Sequence, residues 1–179
     1  MRDYSSVHLV LIMYRILQYF KFLFSSTNQY GIHSPFVYKY LTKCLYIRSS
    51  TKVSKTIGVL LKSIDYFRAT TIALEPEDSN LYQKILQEFP HVSFKGTPCD
   101  ILYVSSNQSQ ILENEGLLAR RIHNESMVLI ENIHGSKERN ERWNTLQNKD
   151  LVTVSIDFFY CGALFFRKEQ EKQHFKIRI

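Results

Sequence analysis

Thr70-Thr71-Ile72-Ala73-Leu74-Glu75 runs straight into Pro76-Glu77-Asp78-Ser79, and this passage decides the fold class. The first six residues are β-branched or apolar and end in an acid, so they read as a short buried strand. Pro76 and the polar residues after it form a turn, and Asp78 and Ser79 are residue types that cap helices. Leu81 to Phe89 then shows a helical pattern, closed by Pro90. A strand, a turn and a helix in immediate succession form the repeating unit of a parallel α/β sheet.

The same unit recurs toward the C-terminus. His91-Val92-Ser93-Phe94 reads as a strand broken by Gly96-Thr97-Pro98. Asp100 to Val104 reads as a buried strand followed by polar Ser105-Ser106-Asn107-Gln108. Ile111 to Ile122 reads as one helix, Ser126 to Glu131 as a strand ending in an acid, and Lys137 to Gln147 as a helix carrying Trp143. The last part differs: Val152–Asp157 and Gly162–Arg167 are strands joined by a short connection, hence an antiparallel hairpin. Ligands of such sheets bind beyond the carboxyl ends of the parallel strands. Glu75, Ser105–Gln108 and Glu131–His134 lie at those ends.

Working back from Thr70, Val53 to Phe67 has Ile57, Leu60, Leu61, Ile64 and Phe67 at helical spacing. Ser34-Pro35 is a helix start, with Ser34 as cap and Pro35 in the first turn, and that helix extends to about Leu45. Val7 to Phe24 is a strongly apolar helix interrupted by His8, Arg15, Gln18 and Lys21. It fits neither a spanning helix, which needs about 20 nearly uncharged residues, nor a signal peptide with a small-residue cleavage site. Its polar face is narrow, so it must cover most of its circumference. It could pack on this domain, on a second copy in a homo-oligomer, or on a membrane surface, and its few cations place protein first.

Composition limits the alternatives. With 6 glycines and 4 prolines in 179 residues, the chain is neither disordered nor built of tight hairpins. The formal net charge of +6 suits solubility and mild attraction to phosphates. The charge is dispersed, with no arginine-rich block and no aromatic–basic recognition motif, so nucleic acid is not an expected partner. Cys44, Cys99 and Cys161 form no C-x-x-C pair, which fits idle thiols in a reducing cytoplasm. No G-x-S-x-G elbow, Walker loop or H-E-x-x-H helix is present.

Three runs carry a family resemblance. Gly31-Ile32-His33-Ser34-Pro35-Phe36-Val37 near the start resembles the opening segment of a bacterial branch, common in Bacteroidetes, of the class I S-adenosylmethionine-dependent methyltransferases. Ile133-His134-Gly135-Ser136-Lys137-Glu138, followed by Trp143, resembles its central motif. Ile156-Asp157-Phe158-Phe159, Phe165 to Gln170 and His174 to Arg178 resemble its closing run. The likeness spans most of the chain. It implies a Rossmann-like, mostly parallel sheet with a C-terminal antiparallel hairpin, preceded by N-terminal helices. The expected organisation is a helical segment, 1–68, packed on an α/β core, 69–179, as one structural domain.

The departures from the family bear on function. The family has a strand, a glycine-rich turn and a helix that let backbone approach the cofactor closely. Here no glycine lies between Gly58 and Gly96. At least one strand–helix unit is therefore missing, and Ile72–Glu75 is expected to fill the central slot beside Ile101–Val104. Glu75 corresponds to the acid that binds the cofactor ribose. Ser105-Ser106-Asn107-Gln108 replaces an aspartate-glycine-asparagine-histidine run, and Asn107 is the amide that survives. Metal-dependent O-methyltransferases use acids and an amide at such ends, so Glu131 and Asn132 are the candidate metal ligands, with Ser105 a poor third. His134 is the candidate general base, since its ordinary pKa suits neutral pH, though it could equally serve as a loop or helix-cap residue.

Three readings follow. The first is a degenerate methyltransferase homologue with impaired or lost S-adenosylmethionine binding, acting as a pseudoenzyme. The second is an active O-methyltransferase with a rearranged cofactor loop and an unknown small-molecule substrate. The third is a membrane-peripheral or nucleic-acid-associated binding module. S-adenosylmethionine is the only cofactor implied, and a divalent metal is not expected.

Overall fold

A computed structural model describes residues 4–48, 52–105 and 110–179. Helix α1 (Tyr4–Ser25) leads through a 3-10 turn at Gln29–Gly31 to α2 (Pro35–Tyr40). Ser34 caps α2 by accepting from the Val37 amide, with Pro35 in the first turn. A π-helical turn, Leu41–Leu45, continues it. Helix α3 (Lys55–Phe67) is capped by Ser54 and stops at Arg68, whose left-handed φ of 51° ends the helix.

Strand β1 (Ile72–Glu75), α4 (Ser79–Glu88) and β2 (Ile101–Val104) follow. Next come α5 (Gln110–Glu113), α6 (Glu115–Arg121), β3 (Met127–Glu131) and α7 (Lys137–Gln147). Strands β4 (Val154–Asp157), β5 (Cys161–Phe165) and β6 (Gln173–Lys176) close the fold. The sheet order is β1-β2-β3-β5-β4-β6. β5 is antiparallel to both of its neighbours, and the other five strands share one direction. Ile72–Glu75 pairs in register with Ile101–Val104, as expected, but it stands at the edge of the sheet and not in a central slot, because the 91–94 segment on its outer side supplies one bridge only. The β4–β5 pair is the expected hairpin.

Both sheet faces are covered, so the strands alternate between two cores. Ile101, Tyr103, Met127 and Leu129 face one side with α2 and α3 residues such as Tyr40, Leu60 and Ile64. Leu102, Val104, Val128 and Ile130 face the other with Leu112, Leu118, Trp143 and Leu146. This is why β2 and β3 read as continuous apolar runs in the sequence.

β1 is tied down at its starting end. Asp100 Oδ2 accepts from the Thr70 and Thr71 amides at 2.7 and 2.8 Å and from both threonine hydroxyls. Its Oδ1 pairs with His123 Nε2 at 3.0 Å. Burial alone would raise this carboxyl, but the bonds from Thr71, Thr70 and His123 outweigh it and hold it at about 2.

Three elements differ from the sequence expectations. The His91–Phe94 strand contracts to a single bridge between Thr71 and Ser93. Its other amides are turned inward: Val92 N donates to Phe89 O, and Lys95 N to the Ser93 hydroxyl. The Ile111–Ile122 helix divides in two, because Asn114 leaves the helical region and its side chain caps α6 through the Leu117 amide. β6 is an additional strand, parallel to β4; its short polar run, Gln173-His174-Phe175-Lys176, carries little strand signal alone.

Candidate functional site

The carboxyl ends of β1, β2, β3 and β4 lie along one sheet edge and present Glu75, Ser105, Glu131 and Asp157 in turn. At about 4.8 Å per strand, β1 and β3 are roughly 10 Å apart, and β3 and β4 are separated by a similar span through β5. Glu75 and Glu131 are too far apart to hold one ion together, and each lines a different cavity.

Glu75 ends β1 beside a cavity of about 570 Å3 lined by Glu77, Asp78, Tyr82, Phe94 and Arg121. Its carboxylate accepts from Arg121 Nη2 at 3.1 Å. Arg121 reaches it from the end of α6, where basic residues complement the helix dipole. Tyr82 and Phe94 pack together on the cavity wall, with ring centroids 4.3 Å apart. After Glu75 the chain passes through a cis peptide to Pro76 and enters α4, capped by Asp78 through the Asn80 and Leu81 amides.

Glu131 ends β3 and accepts from the Tyr103 hydroxyl at 3.1 Å. Burial, reinforced by the Glu131 charge, pushes that phenol above its ordinary range. Asn132 adopts a left-handed φ of 55° and makes a turn: its N–H donates to Tyr160 O and its carbonyl accepts from Gly135 N. Its side chain lies against the Gly135 backbone where a Cβ would stand, which is why Gly135 is glycine. Asn132 is thus committed to the loop. Among the described residues no three His, Cys, Asp or Glu side chains converge as a metal centre.

His134 is buried in the next turn. Its Nε2 stands 2.8 Å from Asp157 Oδ2, and the pair is 9% and 4% exposed. The other Asp157 oxygen accepts from the Phe159 amide at 2.7 Å. Phe159, held at a φ of 70°, stacks on the imidazole at 5.2 Å and 14°. Phe22 of α1 packs on both rings. Nε2 is engaged by the carboxylate, so Nδ1 is the ring nitrogen left for any other partner. Nδ1 is buried and has no partner. A histidine–carboxylate pair has the composition of a general base, but a substrate proton must come within hydrogen-bond reach of the free nitrogen. Here that nitrogen is enclosed. His134 and Asp157 nevertheless contribute to the wall of a cavity of about 270 Å3 between α1, α7 and β6, together with Gln18, Lys21 and Asn140.

The fifth candidate, Asn107, lies outside the described residues. Asp157 was not among the sequence candidates. The signal was present, since it ends a strand in an acid just as Glu75 and Glu131 do.

Compared with family models, curated proteins and solved structures, the chain matches none.

Proposed function

We propose that this chain is a shortened, methyltransferase-like protein that has lost efficient binding of S-adenosylmethionine and works by binding rather than catalysis. The observation that carries the reading is the engagement of Glu75 by Arg121 at the only strand end where the ribose acid is expected. A cofactor ribose would have to displace a guanidinium from that carboxylate. No glycine-rich turn lies next to it to admit the methionine part, because β1 enters α4 through Pro76 and Glu77. The residues present therefore do not fit the cofactor, and methyl transfer requires the sulfonium held in line with its acceptor. The enclosed Nδ1 of His134 points the same way.

Calorimetric titration with S-adenosylmethionine and with S-adenosylhomocysteine tests this. The expected result is no saturable heat with either. Stoichiometric binding at micromolar affinity would overturn it. It would favour the second reading, an active O-methyltransferase, for which the 570 Å3 cavity with its Tyr82–Phe94 wall is the supporting feature.

A further inference from the structure

Helix α1 is apolar where it meets solvent. Leu9, Met13, Ile16, Leu17, Phe20 and Phe24 are between 49% and 90% exposed, and at 3.6 residues per turn they fall within an arc of about 100°. From Tyr14 to Phe22 the opposite side holds the helix to the body, whereas Leu11 and Ile12, outside the arc, are 42% and 43% exposed. Tyr14 and Gln18 accept from Asn140 at 3.4 Å, Tyr19 meets Phe159 edge-on, and Phe22 is buried.

Fractional exposure of these six residues corresponds to roughly 700 Å2 of surface, beyond the ~300–600 Å2 of the largest patch on most monomers. It approaches the ~800 Å2 that each partner contributes to a standard stable interface. The arc contains no charge. α1 has no acid, and its cations, Arg15 and Lys21, lie outside the arc. That is too little positive charge for attraction to anionic lipid. Among the described residues no helix is long and apolar enough to cross a membrane.

We propose that two copies of this chain associate through α1, packed antiparallel about a two-fold axis between Ile16 and Leu17. The order of side chains suits this arrangement. Leu9 meets Phe24 and Met13 meets Phe20, so each large ring faces a slimmer side chain, and Ile16 meets Leu17. A closed two-fold contact uses the same patch twice. A parallel pair would set Phe24 against Phe24. The inference does not depend on the fate of the cofactor site.

Sedimentation of the full chain across a micromolar concentration series should give about twice the 21.2 kDa chain mass. Ile16→Glu should give the single-chain mass with an unchanged near-ultraviolet dichroism spectrum. Since Cys44, Cys99 and Cys161 are buried, an introduced surface thiol reports proximity. Mixed Leu9→Cys and Phe24→Cys chains should cross-link on oxidation, while neither does so alone. A single-chain mass throughout the series for the unaltered protein overturns the proposal whatever the variants do. Monomeric co-sedimentation with phosphatidylcholine vesicles overturns it too, and assigns the face to lipid.

Discussion

At the β1 end of the crevice, Glu75 and Arg121 are each about one-third exposed and border open space. At the β4 end, Asp157 and His134 are nearly fully enclosed by Phe22 and Phe159. Both corners combine an acid at the end of a strand with a basic side chain, Arg121 from the end of α6 and His134 from the turn after β3. One pair is part-exposed and the other is almost fully buried, with a cavity of about 270 Å3 against it. In the open corner each charge keeps part of its hydration, so the pair contributes little and can rearrange. In the closed corner the partners have only each other and a backbone amide, so removing one strands the rest. The open corner has the freedom a ligand site needs, whereas the closed corner fixes how α1 and the His134 loop meet the sheet.

The largest expected effect tests the closed corner. Asp157→Ala leaves the imidazole without its acceptor and the Phe159 amide without a partner. Breaking a buried pair in this way costs about 3–5 kcal/mol, read as a lower urea midpoint. Asp157→Asn keeps an acceptor for the Phe159 amide and should recover part of the loss. A change below about 1 kcal/mol for Asp157→Ala, the size seen for exposed pairs, would remove the contrast.

An intermediate effect sharpens the comparison from the opposite sheet edge. The strand that ends in the open corner is fastened at its start by Asp100, with a carboxyl held at about 2. A lowered folded-state pKa contributes stability that is complete above the unfolded value, near 4, and is lost as pH falls toward 2. Stability should therefore drop across that window. Asp100→Asn should flatten the drop and cost about 2–3 kcal/mol at neutral pH, since bonds to a charged acceptor are worth about 1.5–3 kcal/mol each. Equilibrium unfolding at several pH values reads both quantities. An equally steep acid loss in the variant would show that Asp100 is not its source.

How much of this could be read in the sequence depends on whether the signal was local. The α7 boundaries, the Ser34 cap and the β4–β5 hairpin are written in contiguous residues, and they stand where expected. The pairing of β1 with β2 followed from counting strand–helix units. The lost strand at 91–94 and the break at Asn114 depended on where individual amides found acceptors, which periodicity does not encode. For the site, the strand-end rule located Glu75, Glu131 and His134. It did not provide their partners: Arg121 is 46 residues from Glu75, Tyr103 is 28 from Glu131, and Asp157 is 23 from His134. Those partners decide whether each candidate is free to act.

The smallest effect probes the open corner. Arg121→Ala removes the guanidinium from Glu75, and a part-exposed pair of this kind is worth about 0–1 kcal/mol. The urea midpoint should hardly move. The consequence should be chemical instead, because Glu75 is left as an unpaired carboxylate on the rim of a 570 Å3 cavity. If Arg121 is what denies a ribose its acceptor, the variant should bind S-adenosylhomocysteine measurably more tightly than the unaltered chain, though weakly, because the missing glycine turn still offers no cradle. Identical, undetectable binding by both proteins would place the whole obstruction in the turn. Arg121 would then be a surface pair and nothing more.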